Sequence, residues 1–139
     1  MINIIVSSDP RYPVNKLSIK FTVLSALARH KVTGKVEIGI NIIGARKIHE
    51  LNRKYRGIDT PTDILSFALE EGNPTFLQHY SKIGFVAAPD QVLRLGDIVI
   101  SYPHALEDAV MDGITVDEEI KNLVEHGVNH LLGIHHPED

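Results

Sequence analysis

Two histidines four residues apart, followed by a glycine and then a third histidine, constrain this chain more than any other feature. The stretch is His126-Gly127-Val128-Asn129-His130-Leu131-Leu132-Gly133-Ile134-His135-His136. Residues four apart lie one turn above each other on the same side of an α-helix, so both imidazoles reach one metal ion if the segment is helical. Gly133 tolerates the left-handed conformation that ends a helix and turns the chain back. His136 then stands close enough to supply a third nitrogen, with His135 as the competing third ligand. The histidines also sit inside an apolar pattern, unlike the adjacent histidines of a tag. Val116, Ile120, Leu123, Val124, Gly127, Val128 and Leu131 form one broad stripe, with His126 and His130 along its edge.

The frame is H-x3-H-x5-H with glycine at its eighth position, the ligand spacing of the metzincin zinc proteases. Three protein ligands leave the fourth zinc position for water, a catalytic arrangement rather than a closed structural one. The protease base is missing, however. H-E-x-x-H enzymes carry it directly after the first histidine, and Gly127 occupies that place here. Glu125 is one residue too early and points about 100° away on a regular helix. Peptide hydrolysis is disfavoured on this ground. The chain has no cysteine, so zinc must sit on histidine or carboxylate and no disulfide forms.

At 139 residues the chain reads as one domain, 1–139, with a real core. The segments predict a mixed α/β (α+β) fold. Residues 2–6 make a short apolar strand. Residues 16–31 carry Leu17, Phe21, Leu24 and Ala28 at helical spacing, with Gly34 as a stop. Val36, Ile38, Ile40 and Ile42 alternate with polar or small residues as a half-buried strand. Residues 45–55 read as a helix with Ile48, Leu51 and Tyr55 facing inward, and 64–69 and 97–101 as further strands. Ser101 and Pro103 start another helix that Gly113 closes. Thr115 and Glu118 form a capping box for the histidine helix.

No apolar run reaches the eighteen or so residues of a membrane span, and the N-terminus has no basic signal region. The expectation is a cytoplasmic protein without a membrane partner. Two lengths stand out. Residues 70–94 are long for a connection in a small domain, with 82–88 an extra strand or part of a flap. The chain ends three residues after His136, which predicts an open site whose residues 134–139 are ordered largely by the metal.

The net charge of −4 gives no global attraction to nucleic acid, so such a partner must be held locally. Arg46, Lys47, Arg53, Lys54 and Arg56 place five positive charges within eleven residues. Such a face is either simply solvated or a phosphate-binding edge. An arginine at 56, entering the polar turn before the next strand, suits a bidentate phosphate contact.

Three blocks carry a family resemblance. Leu51-Asn52-x-x-Tyr55-Arg56-x-x-Asp59-x-Pro61-Thr62-Asp63-x-Leu65-Ser66-Phe67, then Leu95-Gly96-Asp97-Ile98-x-Ile100-Ser101, then His126-Gly127-x-x-His130-Leu131-Leu132-Gly133-x-x-His136 resemble the YbeY family. These are bacterial rRNA-maturation factors described as metal-dependent, single-strand-specific endoribonucleases. The resemblance implies a small domain with a mixed four-stranded sheet and the zinc histidines on a helix at its edge. It also implies one Zn2+ held by His126, His130 and His136, with Arg56 as the functional arginine; the basic face of the second helix adds Arg46, Lys47 and Arg53 as candidate RNA contacts. Implied partners are single-stranded rRNA and the small ribosomal subunit or its assembly factors, in rRNA processing and ribosome quality control. The family has leucine where this chain has Asn129, and tyrosine then aspartate where it has Ile134 and His135; the ligand positions are intact. Two other readings fit the histidines: a zinc metallohydrolase acting on peptides or small amides, and a non-catalytic ribosome-associated factor with structural zinc.

Overall fold

β-Branched residues at alternate positions, split by one helix, build the first half of the molecule. β1 (Ile2–Ser8) and β2 (Val36–Ile43) run parallel, from Ile2 opposite Val36 to Ser8 opposite Ile42. Parallel strands need a crossover, here α1 (Lys16–Arg29). After α2 (Ala45–Arg56) come β3 (Ile64–Ala68) and β4 (Leu93–Ser101), then α3 (Tyr102–Asp112) and α4 (Val116–Leu131). β4 pairs parallel to β2 and antiparallel to β3, giving the sheet order β1-β2-β4-β3. The expected mixed four-stranded sheet is therefore present. The structure, a computed structural model, describes residues 1–68 and 92–134. The readings made for 82–88 and for the tail beyond Ile134 lie outside those residues.

The pleat divides the sheet's two faces. Val36, Ile38, Ile40 and Ile42 of β2, with Ile98 and Ile100 of β4, form one core with α1, α3 and α4. Each such isoleucine, fully removed from water, contributes about 1.5–3 kcal/mol. On the other face Ile48 of α2 packs with Leu65 and Val99. So α2 and α4 lie on opposite sides of the sheet.

Three expectations need correction. Helix α1 forms, but its buried face is Ile19, Thr22, Val23, Ala26 and Leu27. Leu17 and Phe21 are 78% and 70% exposed. Two apolar stripes run along this helix, and the larger residues lie on the outer one. Tyr55 is not buried: on the last turn of α2 its ring meets Phe67 of β3 yet stays 58% exposed. β4 begins at Leu93, four residues before the expected start. Its pairing with β2 skips Leu95, a bulge that breaks the two-residue period. Gly96 accommodates this with φ +133°, where a Cβ would collide with the Phe67 carbonyl.

Candidate metal centre

The histidine helix is held at both ends by local chemistry. At its start the Thr115 hydroxyl accepts from Glu118 N at 3.1 Å, and Glu118 accepts from Thr115 N at 3.1 Å. Asp117, Glu118 and Glu119 complement the positive helix end. At the other end Gly133 takes φ +76°. Gly133 N donates to His130 O at 3.0 Å and Ile134 N to Asn129 O at 2.8 Å. This is the Schellman arrangement, in which the glycine reverses the chain and the next apolar residue packs back. Ile134 rests against the main core. Gly133 thus does what its place in the motif demands.

Between those ends the expected stripe is buried at Ile120, Leu123, Val124, Gly127, Val128 and Leu131, while Val116 at its start is only half-buried against the core. His126 and His130 are half-buried, on one side of the helix, their ring centroids 4.2 Å apart and tilted by 48°. Two imidazoles sharing one tetrahedral zinc place their centroids about 5 Å apart, given metal–nitrogen bonds of about 2.0–2.1 Å. The pair therefore fits two of the three ligands with a small side-chain adjustment. Among the described residues no three His, Cys, Asp or Glu converge as a metal cluster. His136 and its competitor His135 lie outside them.

Gly127 explains the missing protease base. A Cβ there would lie 2.8 Å from Ile98 Cδ1 and 3.0 Å from both Cγ atoms. The position faces the centre of the sheet, where a glutamate has no room. Glu125 is also engaged elsewhere: its carboxylate meets Arg29 at 3.2 Å. One turn on, Asn129 Oδ1 lies 3.2 Å from His30 Nε2. The end of α1 therefore braces the outer edge of α4 beside the histidines. Nothing in the sequence pattern pointed to Arg29 or His30, because the contact joins residues 96 and 99 positions apart.

The candidate cations lie on α2, across the sheet. Arg46, Lys47, Arg53 and Arg56 are all exposed. Arg56 is the last helical residue, before Gly57 at φ +70°. The turn beyond it is pinned by Asn52, whose Nδ2 donates to Thr60 O at 2.8 Å, and by Asp59, 2.9 Å from His49. The turn leads into β3, the edge strand against which both α2 and α4 pack. Arg56 and the histidines thus flank one sheet edge from opposite faces.

A carboxylate group near α3 escaped the sequence reading. Glu119, at 8% exposure, has its pKa raised by burial and by Asp108, Asp112 and Asp63, against a lowering hydrogen bond from Asn122. Asp108 is raised by burial and by Asp63. Its place in an acidic first turn disguised Glu119 as a solvated cap residue.

Comparison with known proteins agrees with this architecture. Residues 11–139 match the family model described as Endoribonuclease YbeY. A protein of Dehalococcoides mccartyi named Endoribonuclease YbeY is 39% identical over 137 residues, covering 99% of this chain and 78% of the relative. Another of that name, from Moorella thermoacetica, is 41% identical over 128 residues, covering 90% of this chain and 78% of the relative. A Thermotoga maritima protein solved in solution has a similar fold, with a TM-score of 0.57 at 23% identity, covering 98% of this chain and 76% of that one.

Proposed function

Because this chain belongs to the YbeY family of endoribonucleases, we propose that it is a metal-dependent hydrolase that cleaves single-stranded RNA in rRNA maturation. The observation that carries this reading is the paired His126 and His130 on a helix whose protease-base position is filled by the sheet. His126, His130 and His136 are the ligands of one zinc ion. Bound there, zinc supplies Lewis-acid stabilisation of negative charge on a phosphoryl group.

The chain's own residues do the rest. Arg56 places its guanidinium on the non-bridging oxygens of the scissile phosphate and neutralises charge that grows as the phosphorus becomes pentavalent. The turn beyond it, pinned by Asn52, limits how far the arginine wanders. Arg46, Lys47 and Arg53 hold flanking phosphates. Single strands are favoured because unpaired bases can be splayed away from the backbone. The small ribosomal subunit or its assembly factors present the substrate, which places the protein in the cytoplasm. No helix among the described residues is long and apolar enough to cross a membrane.

Cleavage of matched single-stranded and duplex RNAs, with and without chelator, tests the proposal. It requires chelator-sensitive cleavage of the single strand only. Chelator-sensitive hydrolysis of peptides with no RNA cleavage would replace it with the metallohydrolase reading. Zinc binding with neither activity would leave the structural-zinc factor.

A further inference from the structure

The face of the sheet that carries α2 holds a trough distinct from the histidine helix. It encloses about 810 Å³ beside the N-terminal half of α2 and about 480 Å³ beside the C-terminal half; Asn41, Leu51 and Val99 line both parts. Both volumes fall in the range of ligand sites. The two ends differ in chemistry. Arg11, Arg46 and Lys47 stand at the first. Asp9 engages Arg11 at 2.8 Å, whereas Arg46 and Lys47 make no ion pair among the described residues. At the second, Tyr55 presents an exposed ring, set edge-on to Phe67 with centroids 5.6 Å apart.

The floor between these ends is polar and organised. Ser7 Oγ donates to Asn41 Oδ1 at 2.7 Å, fixing the amide. Asp97 lies opposite Gly39 in the β2–β4 pairing. Its carboxylate occupies the space that a Cβ at residue 39 would need. It is exposed toward the trough and shares the lining with Tyr55 and Phe67.

A carboxylate in a phosphate-binding surface repels backbone, so it orients whatever lies there. Cations at one end, an exposed tyrosine ring with Lys54 Nζ 5.2 Å from its centroid at the other and a carboxylate on the floor suit a single strand with bases turned inward. We infer that this trough binds a few nucleotides of single-stranded RNA, with Tyr55 stacking on one base and Asp97 accepting a hydrogen bond from that base's amino group. Adenine, cytosine and guanine carry such a group, and uracil does not. The inference rests on the RNA reading above and adds a base preference to it.

Fluorescence anisotropy of zinc-stripped protein with labelled rA5, rC5 and rU5 tests it without cleavage. The wild type binds rA5 and rC5 more tightly than rU5. Tyr55→Ala weakens all three by roughly ten-fold, the scale of losing one stacked base. Asp97→Asn brings rC5 and rU5 to within about two-fold of each other, because an amide can donate to uracil as well as accept from cytosine. Thermal melts matching the wild type establish that both variants are folded. If both bind all three oligonucleotides as the wild type does, the trough is overturned, while single-strand cleavage by the wild type still stands. If the wild type neither binds the oligonucleotides nor cleaves single-stranded RNA, the RNA reading fails and the trough with it.

Discussion

Alanine at position 127 tests the packing that sets the histidine helix against the sheet. In an open helix, Gly→Ala gains about 1 kcal/mol in propensity. Here the added methyl meets three atoms of Ile98 at 2.8–3.0 Å, and Ile98 is 0% exposed on a central strand. Overpacking of a filled core costs about 1–3 kcal/mol. Contact with a branched side chain from several directions belongs in the upper part of that range. The net effect is a loss of about 1–2 kcal/mol, or a melting temperature lower by about 5 °C. The helix must also lift from the sheet, carrying His126 and His130 with it, so zinc affinity falls. Ile98→Val removes the Cδ1 that makes the 2.8 Å contact and alone costs about 0.5–1.5 kcal/mol. Combined, the two substitutions destabilise by less than their sum, because they relieve a shared clash. Denaturant melts and chelator competition on the four proteins measure both effects. Gly127→Ala with unchanged or increased stability, or strict additivity with Ile98→Val, refutes the argument. Gly127→Glu, which restores the protease motif in sequence, abolishes folding rather than creating a peptidase.

Other outcomes follow from the site. His126→Ala or His130→Ala weakens zinc binding by orders of magnitude while His135→Ala does not, as read by metal content after dialysis; equal damage from His135→Ala and His136→Ala reverses the choice of third ligand. Arg56→Ala keeps its zinc and loses about 10²–10³-fold in cleavage rate, the scale of one lost charge-stabilising donor, measured under single-turnover conditions. Glu119→Gln raises the melting temperature at pH 7 and has little effect near pH 4. A carboxyl whose folded pKa is raised opposes folding above that pKa, and the opposition disappears below its ordinary value of 4.5.

The legible parts of the fold are those where neighbours in sequence decide the outcome. The capping box at Thr115 and Glu118, the glycine reversal at Gly133 and the buried stripe of α4 are local, and each formed as its residues demand. The outer stripe of α1 was misleading because periodicity reports a helix without saying which face meets the core. The start of β4 was hidden by the bulge at Leu95, which tertiary pairing permits and a two-residue period does not. Within the site, the pairing of His126 with His130 was readable from spacing. The bracing by Arg29 and His30, and the trough joining Asn41, Tyr55 and Asp97, depend on contacts between distant segments. Gly127 falls between the two cases: its identity signalled a missing base, and only the sheet beneath it shows why a side chain is excluded.

Titrating zinc into stripped protein, while following bound metal and cleavage of a single-stranded RNA together, tests most directly whether one zinc on His126, His130 and His136 drives RNA cleavage. Activity rises in proportion to bound zinc and stops rising at one ion per chain, and His136→Ala shows neither tight binding nor activity. Full cleavage by the stripped protein, or a His136→Ala variant that binds and cleaves like the wild type, would contradict that role of zinc.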